Sequence, residues 1–182
     1  MDPSAASGLG GAGDPPEYRG ARLRVRRERH VLPDGRSVSL DAVRVPSVAY
    51  IVPLLDDGRI VLIRQYRPIV GAEIWELPAG TIEVGETPEA CARRELVEEA
   101  GYEAGRLDPL GEALADAGLT DERIFFFTAR ELRPAPRGLD ADEHIEVVPT
   151  PLSDAYRMAD AGEILDAGTL VALYRFQSRA GR

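Results

Sequence analysis

Residues 80–101 read GTIEVGETPEACARRELVEEAG, and the placing of the acids in this stretch decides how the whole chain is read. Glu95, Glu98 and Glu99 stand at i, i+3 and i+4, so a helix projects all three carboxylates from one face. Like charges so spaced repel by roughly 0.2–0.5 kcal/mol per pair, and a helix gains nothing from them unless something neutralises them. A divalent cation does so, and hard carboxylate oxygens suit Mg2+ or Mn2+. The flanks supply the helix itself. Thr87 is a capping residue, with Pro88 at the first helical position and Glu89 in the first turn, where acid is favourable. Leu96, Val97 and Ala100 lie together away from the glutamates and form the buried stripe. Gly101 ends the helix, since a left-handed residue is cheap for glycine there. Arg94 precedes Glu98 by one turn and braces it, in the weaker order for an isolated pair. Ahead of the helix, Leu77-Pro78-Ala79-Gly80 reads as a strand end and tight turn.

The same residues resemble the Nudix box, G-x5-E-x7-R-E-U-x-E-E-x-G-U, where U is a bulky aliphatic residue. Gly80, Glu86, Arg94, Glu95, Leu96, Glu98, Glu99 and Gly101 match, and Tyr102 alone departs. Seven fixed identities at about 7% usage each agree by chance roughly once in 10^8 starting positions. The plain alternative is a surface helix that happens to be acidic. The resemblance implies a metal-dependent hydrolase in which the Ala79 carbonyl, Glu95 and Glu99 ligate Mg2+ (or Mn2+) and Glu98 assists. Glu86, Arg94 and Glu98 come over as residues of the catalytic centre. The implied fold is an α/β (α+β) domain, a mixed sheet packed between helices in an α/β/α sandwich.

The composition bounds the rest. With 182 residues, 44% hydrophobic and 29% charged, the chain reads as one soluble globular domain with a sizeable core. No apolar run approaches the roughly 20 residues that span a bilayer, so no membrane partner is expected. The start, MDPSAASGLGGAGDPPE, has neither the positive nor the apolar region of a secretory signal. A single cysteine, Cys91, fits a reducing cytoplasm and reads as a small buried helix residue. A net charge of −9 argues against a nucleic-acid surface, and bound metal reconciles that acidity with phosphate substrates. All 22 basic residues are arginine, which excludes Schiff-base and P-loop chemistry. With two histidines and no G-x-S-x-G, serine and cysteine hydrolase readings also fail.

Along the chain, residues 1–17 read as a mobile tail, 18–46 as N-terminal strands turned at Pro33-Asp34-Gly35, and 47–182 as the hydrolase domain. A hairpin spans residues 49–66 about Asp56-Asp57-Gly58. Strands are expected over 107–114, 124–129 (with the buried run Phe125-Phe126-Phe127) and 145–150. Ser153 is expected to cap a helix over 154–161, ended by Gly162, and a last helix covers 169–178.

Beyond the box, Ile63-Arg64-Gln65-Tyr66-Arg67 and Glu76-Leu77-Pro78-Ala79-Gly80 resemble the ADP-ribose pyrophosphatase branch of the Nudix hydrolases. In that branch the arginine at the Arg67 position contacts the diphosphate, a task suited to a guanidinium fork. Gly118-Leu119-Thr120-Asp121-Glu122 resembles a downstream substrate element, which makes Gly118 and Glu122 substrate-binding candidates. Asp116-Ala117 replaces the usual Ser-Pro before it and moves weight toward other nucleoside diphosphate sugars. The acidic segment 138–147 resembles the loop that carries a general base. Glu143 aligns best, with Asp142 and Glu146 behind it and a solvated acidic loop as the plain alternative; His144 reads as structural. The implied reaction is hydrolysis of a diphosphate linkage, giving a nucleoside monophosphate and a sugar phosphate. Hydrolysis of nucleoside triphosphates or dinucleoside polyphosphates by the same box is the alternative, and a catalytically silent nucleotide-binding module the third reading. Relatives in this branch exchange their first strands, so a homodimer is expected. Tyr18 and the arginines from Arg19 to Arg29 are then the contacts available to a base or phosphate, beside the plain reading of a solvated strand face.

Overall fold

The computed structural model describes residues 17–139 and 144–180. The N-terminal segment forms its own antiparallel sheet of β1 (Tyr18–Arg19), β2 (Arg24–Val31) and β3 (Ser37–Arg44). Gly35, with φ of 81°, makes the expected turn between β2 and β3. Arg44 forks onto Glu28 across the hairpin and reaches Asp121, so this sheet is tied to the loop that carries Gly118.

Two further sheets make the body. One has the order β10-β5-β6, from β5 (Arg59–Arg67), β6 (Ala72–Glu76) and β10 (Ile145–Pro151). The other has the order β7-β4-β9-β8, from β4 (Val48–Pro53), β7 (Ala79–Thr81), β8 (Tyr102–Leu114) and β9 (Arg123–Pro134). The β4–β9 pair is parallel and the others antiparallel, so this sheet is mixed as expected.

Strand alternation sends residues to both faces, and each face is covered. Ala49, Ile51 and Phe127 pack on Cys91, Ala92 and Leu96 of the box helix. Val52 and Phe126 pack on the opposite side against Leu173 and Phe176 of α3 (Ala167–Ala180) and Met158 of α2 (Leu152–Asp160). The Phe125-Phe126-Phe127 run is thus a strand with apolar cover on both sides. No helix among the described residues is long and apolar enough to cross a membrane.

Element ends differ from the sequence expectation where tertiary pairing extends them. β8 begins at Tyr102 because left-handed Gly101 (φ 75°) turns the chain straight into pairing, Tyr102 opposite Pro134. Ser153 does not cap α2. β10 runs through Pro151 into the helix, Pro151 stands at the N-cap, and no side chain caps it. α3 starts earlier than expected, where Asp166 Oδ2 accepts the Thr169 N–H at 2.7 Å.

Candidate active site

The box helix α1 (Pro88–Glu95) begins as the sequence dictates: Thr87 accepts the Ala90 N–H through its side chain and Pro88 opens the first turn. It does not continue as a regular α-helix to Gly101. Residues Leu96–Ala100 form a π-helical segment, a widened turn rare in helices and recurrent at functional sites. Leu96 and Ala100 are buried, while Val97 is half-buried.

The face that the glutamates share is largely covered. Glu95 is 8% exposed and Glu99 2%, because both turn inward toward β7. Register explains how they fit: Ala79 pairs with Tyr50 and Gly80 with Ala49, which lays β7 across the helix. A methyl group on Gly80 would overlap the Glu95 carboxylate, so the box needs glycine there to let this side chain lie against the backbone. Glu99 Oε2 accepts the Ala79 N–H at 2.8 Å.

Arg94 is what keeps the acids together. Its Nε and Nη2 fork onto Glu86, both at 3.0 Å, while Nη1 donates to Glu95 at 2.6 Å and to Glu98 at 2.9 Å. Its Nη2 also donates to the Thr81 carbonyl at 3.1 Å. One guanidinium thus offsets the repulsion among three carboxylates, and its hydrogen bonds hold Glu86 below the ordinary carboxylate range. Cys91 is buried against this network, and burial pushes its thiol up to about 12, so it is an inert core residue as expected.

These groups open onto a cleft of about 360 Å3. Ala79, Glu95, Glu98, Glu99, Arg94 and Arg67 all line it, and Glu86 stands behind Arg94. Arg67 forks onto Glu76 at 3.0 and 2.6 Å and leaves Nη1 without a hydrogen bond among the described residues. Burial raises the Glu76 carboxyl, and the Arg67 fork pulls it back. Hard oxygen donors from three glutamates beside a β7 backbone fit a divalent cation. Among the described residues no three acidic, His or Cys side chains are already drawn together as a ligand set.

Of the other expected residues, Tyr18, Gly118, Glu122 and Glu146 do not line this cleft. Tyr18 is 61% exposed on β1. Gly118 borders a separate hollow with His30 and Arg44, and Glu122, half-buried nearby, has its carboxyl raised by burial. Glu146 pairs with Arg64 at 2.6 Å, and His144 is exposed immediately before β10, where its carbonyl accepts the Tyr66 N–H at 3.3 Å. Glu143 and Asp142 lie outside the described residues. Conversely, the cleft includes Arg22, from the turn before β2, and Tyr50 of β4. Arg22 belongs to the arginine cluster already visible in the sequence. Tyr50 gives no signal, being one residue of an alternating strand.

Residues 44–170 match the NUDIX domain family. An ADP-ribose pyrophosphatase of Bacillus subtilis is 36% identical over 148 residues, 80% of each chain. A methanol dehydrogenase activator of Bacillus methanolicus is 30% identical over 162 residues, 88% of each chain. A GDP-mannose pyrophosphatase of Citrobacter koseri is 38% identical over 123 residues, 63% of this chain and 64% of that one. The crystal structure of an ADP compounds hydrolase superposes with a TM-score of 0.79 at 22% identity, covering 95% of this chain and 97% of the other, and shares the fold. The chain belongs to the Nudix family.

Proposed function

We propose that the chain is a pyrophosphohydrolase that cleaves the diphosphate linkage of nucleoside diphosphate sugars, ADP-ribose among them, to a nucleoside monophosphate and a sugar phosphate. The observation that carries this reading is a single cleft in which Glu95, Glu98, Glu99 and Ala79 stand together with Arg67. The ADP-ribose pyrophosphatase relative supports the substrate class. The GDP-mannose pyrophosphatase relative supports the same linkage with a different base and sugar.

In this reading Glu95, Glu98, Glu99 and the Ala79 carbonyl hold a divalent ion, Mg2+ by preference, which when bound neutralises diphosphate charge and makes water a better nucleophile. The chain's own groups do the positioning. Glu86 holds Arg94, and Arg94 holds Glu95 and Glu98 in place. Arg67 offers Nη1 to a phosphate oxygen while Glu76 fixes its plane. Glu98, whose Oε2 alone is bonded to Arg94, and Glu143 are the two carboxylates assigned to take the proton from the attacking water.

A substrate panel with Mg2+ tests the reading: ADP-ribose, GDP-mannose, UDP-glucose, diadenosine polyphosphates and nucleoside triphosphates. At least one diphosphate sugar is expected to exceed every triphosphate in kcat/KM by about tenfold or more, the scale of one well-placed contact. A triphosphate at the head of the panel would sink the substrate reading and leave the metal site standing.

We also assign the N-terminal sheet a role in a homodimer, working in the cytoplasm. Val31 and Leu40 are exposed on that sheet. Arg22 of the same chain lines the cleft, so exchange of strands is not needed to bring an arginine to it. Light scattering of the full chain is expected to give twice the monomer mass; a fully active monomer would remove the assignment.

A further inference from the structure

Tyr50 stands on β4 beside Ala79, on the strand face turned away from the box helix. It lines the same cleft as Arg67. Its ring is clamped from behind: a methyl group on Gly168 would overlap it, with both Cε atoms 2.6 Å from the added carbon. Its hydroxyl lies 3.2 Å from Asp166 Oδ1. A carboxylate only accepts, so the phenol donates its single proton to Asp166, and what remains on its oxygen accepts only. Asp166 is itself fixed, since its Oδ2 accepts the Thr169 N–H. Fully buried Thr169 in turn accepts the Leu77 N–H at 2.9 Å, two residues before Ala79.

This arrangement has a chemical preference. Burial first, and the Asp166 and Glu76 charges with it, keep the phenol neutral. Glu76 is already paired with Arg67, so the discrimination rests on which group can donate to the phenol oxygen. A phosphate oxygen, which is anionic and a poor donor, gains nothing against an acceptor-only phenol. A sugar hydroxyl, which carries a proton to give, does.

We propose that Tyr50, held by Asp166, is a specificity-determining residue: its oxygen accepts a hydrogen bond from a hydroxyl of the sugar half of the substrate and thereby favours diphosphate sugars over nucleoside triphosphates. The inference rests on the diphosphate-sugar reading above and names the group that reads the sugar. Gly168 provides the space that the ring requires, and Asp166 sets the direction of the hydrogen bond.

The test uses the full chain with Mg2+, ADP-ribose and ATP as probes, KM and kcat for each, and calorimetric binding of ADP-ribose without metal. Tyr50→Phe keeps the ring and is expected to raise KM for ADP-ribose about tenfold, with little change for ATP, as for loss of one hydrogen bond in a site built to make it. Asp166→Asn is the sharper variant. Its carbonyl oxygen still accepts from Thr169, while its NH2 donates to Tyr50 and turns the phenol proton toward the cleft. A phosphate oxygen can then accept from the phenol, while a sugar hydroxyl, able to accept as well as donate, loses little. ATP should bind more tightly and the ratio of KM values should move toward ATP, a change that a packing role does not produce. If the Asn variant does not fold, as read by thermal melting, Tyr50→Phe alone decides. Folded variants that keep the wild-type ratio of KM values overturn the assignment and leave the proposed function intact. A wild-type chain that neither binds nor hydrolyses ADP-ribose overturns both.

Discussion

Glu99→Gln is expected to lower kcat by about 100- to 1000-fold at saturating Mg2+, the scale of losing one charge-stabilising group in a closed site. The fold should survive the change. Glu99 Oε2 accepts the Ala79 N–H in a nearly closed environment, and a glutamine carbonyl takes that bond equally well. What goes is the negative charge that a divalent ion requires. Because the replacement has the same shape and keeps the Ala79 bond, the chain should still melt cooperatively. Turnover in Mg2+ and a thermal melt, measured on the same preparation, separate the two effects. Near wild-type turnover would show that the metal is held elsewhere.

Arg94→Met should cost both stability and activity. The residue neutralises Glu86, Glu95 and Glu98 together, and its removal leaves those carboxylates facing one another. Breaking a buried ion pair costs about 3–5 kcal/mol, and Arg94 is partly solvated, so a discounted figure of about 2–3 kcal/mol is appropriate. For a domain of this size that is a fall of roughly 5–10 °C in Tm. The pH dependence has a definite sign. Glu86 has its pKa lowered from 4.5 by Arg94, so its contribution is complete above that value and disappears as the pH falls through the lowered one. The gap between wild type and Arg94→Met should therefore be wide at pH 7 and narrow in acid. Equal melting temperatures at pH 7 would remove Arg94 from its place at the centre of the network.

How much of this was legible beforehand depends on how far apart in the chain the cooperating residues stand. The box was readable because its parts lie within one helix and the turn before it. Thr87, Pro88 and Gly101 mark the ends by their own chemistry, and the glutamates share a face by spacing alone. The hairpin about Gly35 and the doubly covered Phe125-Phe126-Phe127 strand were readable for the same reason. The burial of Glu95 and Glu99 was not, since it depends on β7 crossing the helix at a glycine. Nor was the link from Tyr50 to Asp166, which joins residues 116 apart and leaves no period in the sequence. The loop with Gly118 resembles a substrate element, yet it binds to the N-terminal sheet, where the Val43 N–H donates to the Leu119 carbonyl. Similar letters at similar spacing do not reveal what a loop packs against.

The bond from Leu77 to Thr169 sets an order of events during synthesis. The two residues are 92 positions apart, and the later one fixes the strand that leads into Ala79. At about 5–20 residues per second, a ribosome adds the second roughly 5–20 s after the first. Early in that interval the box helix and its glutamates are added, while the frame behind the cleft is still missing. A nascent chain therefore carries its acids before it carries Asp166 and Thr169, the two residues that brace the far side of the cleft.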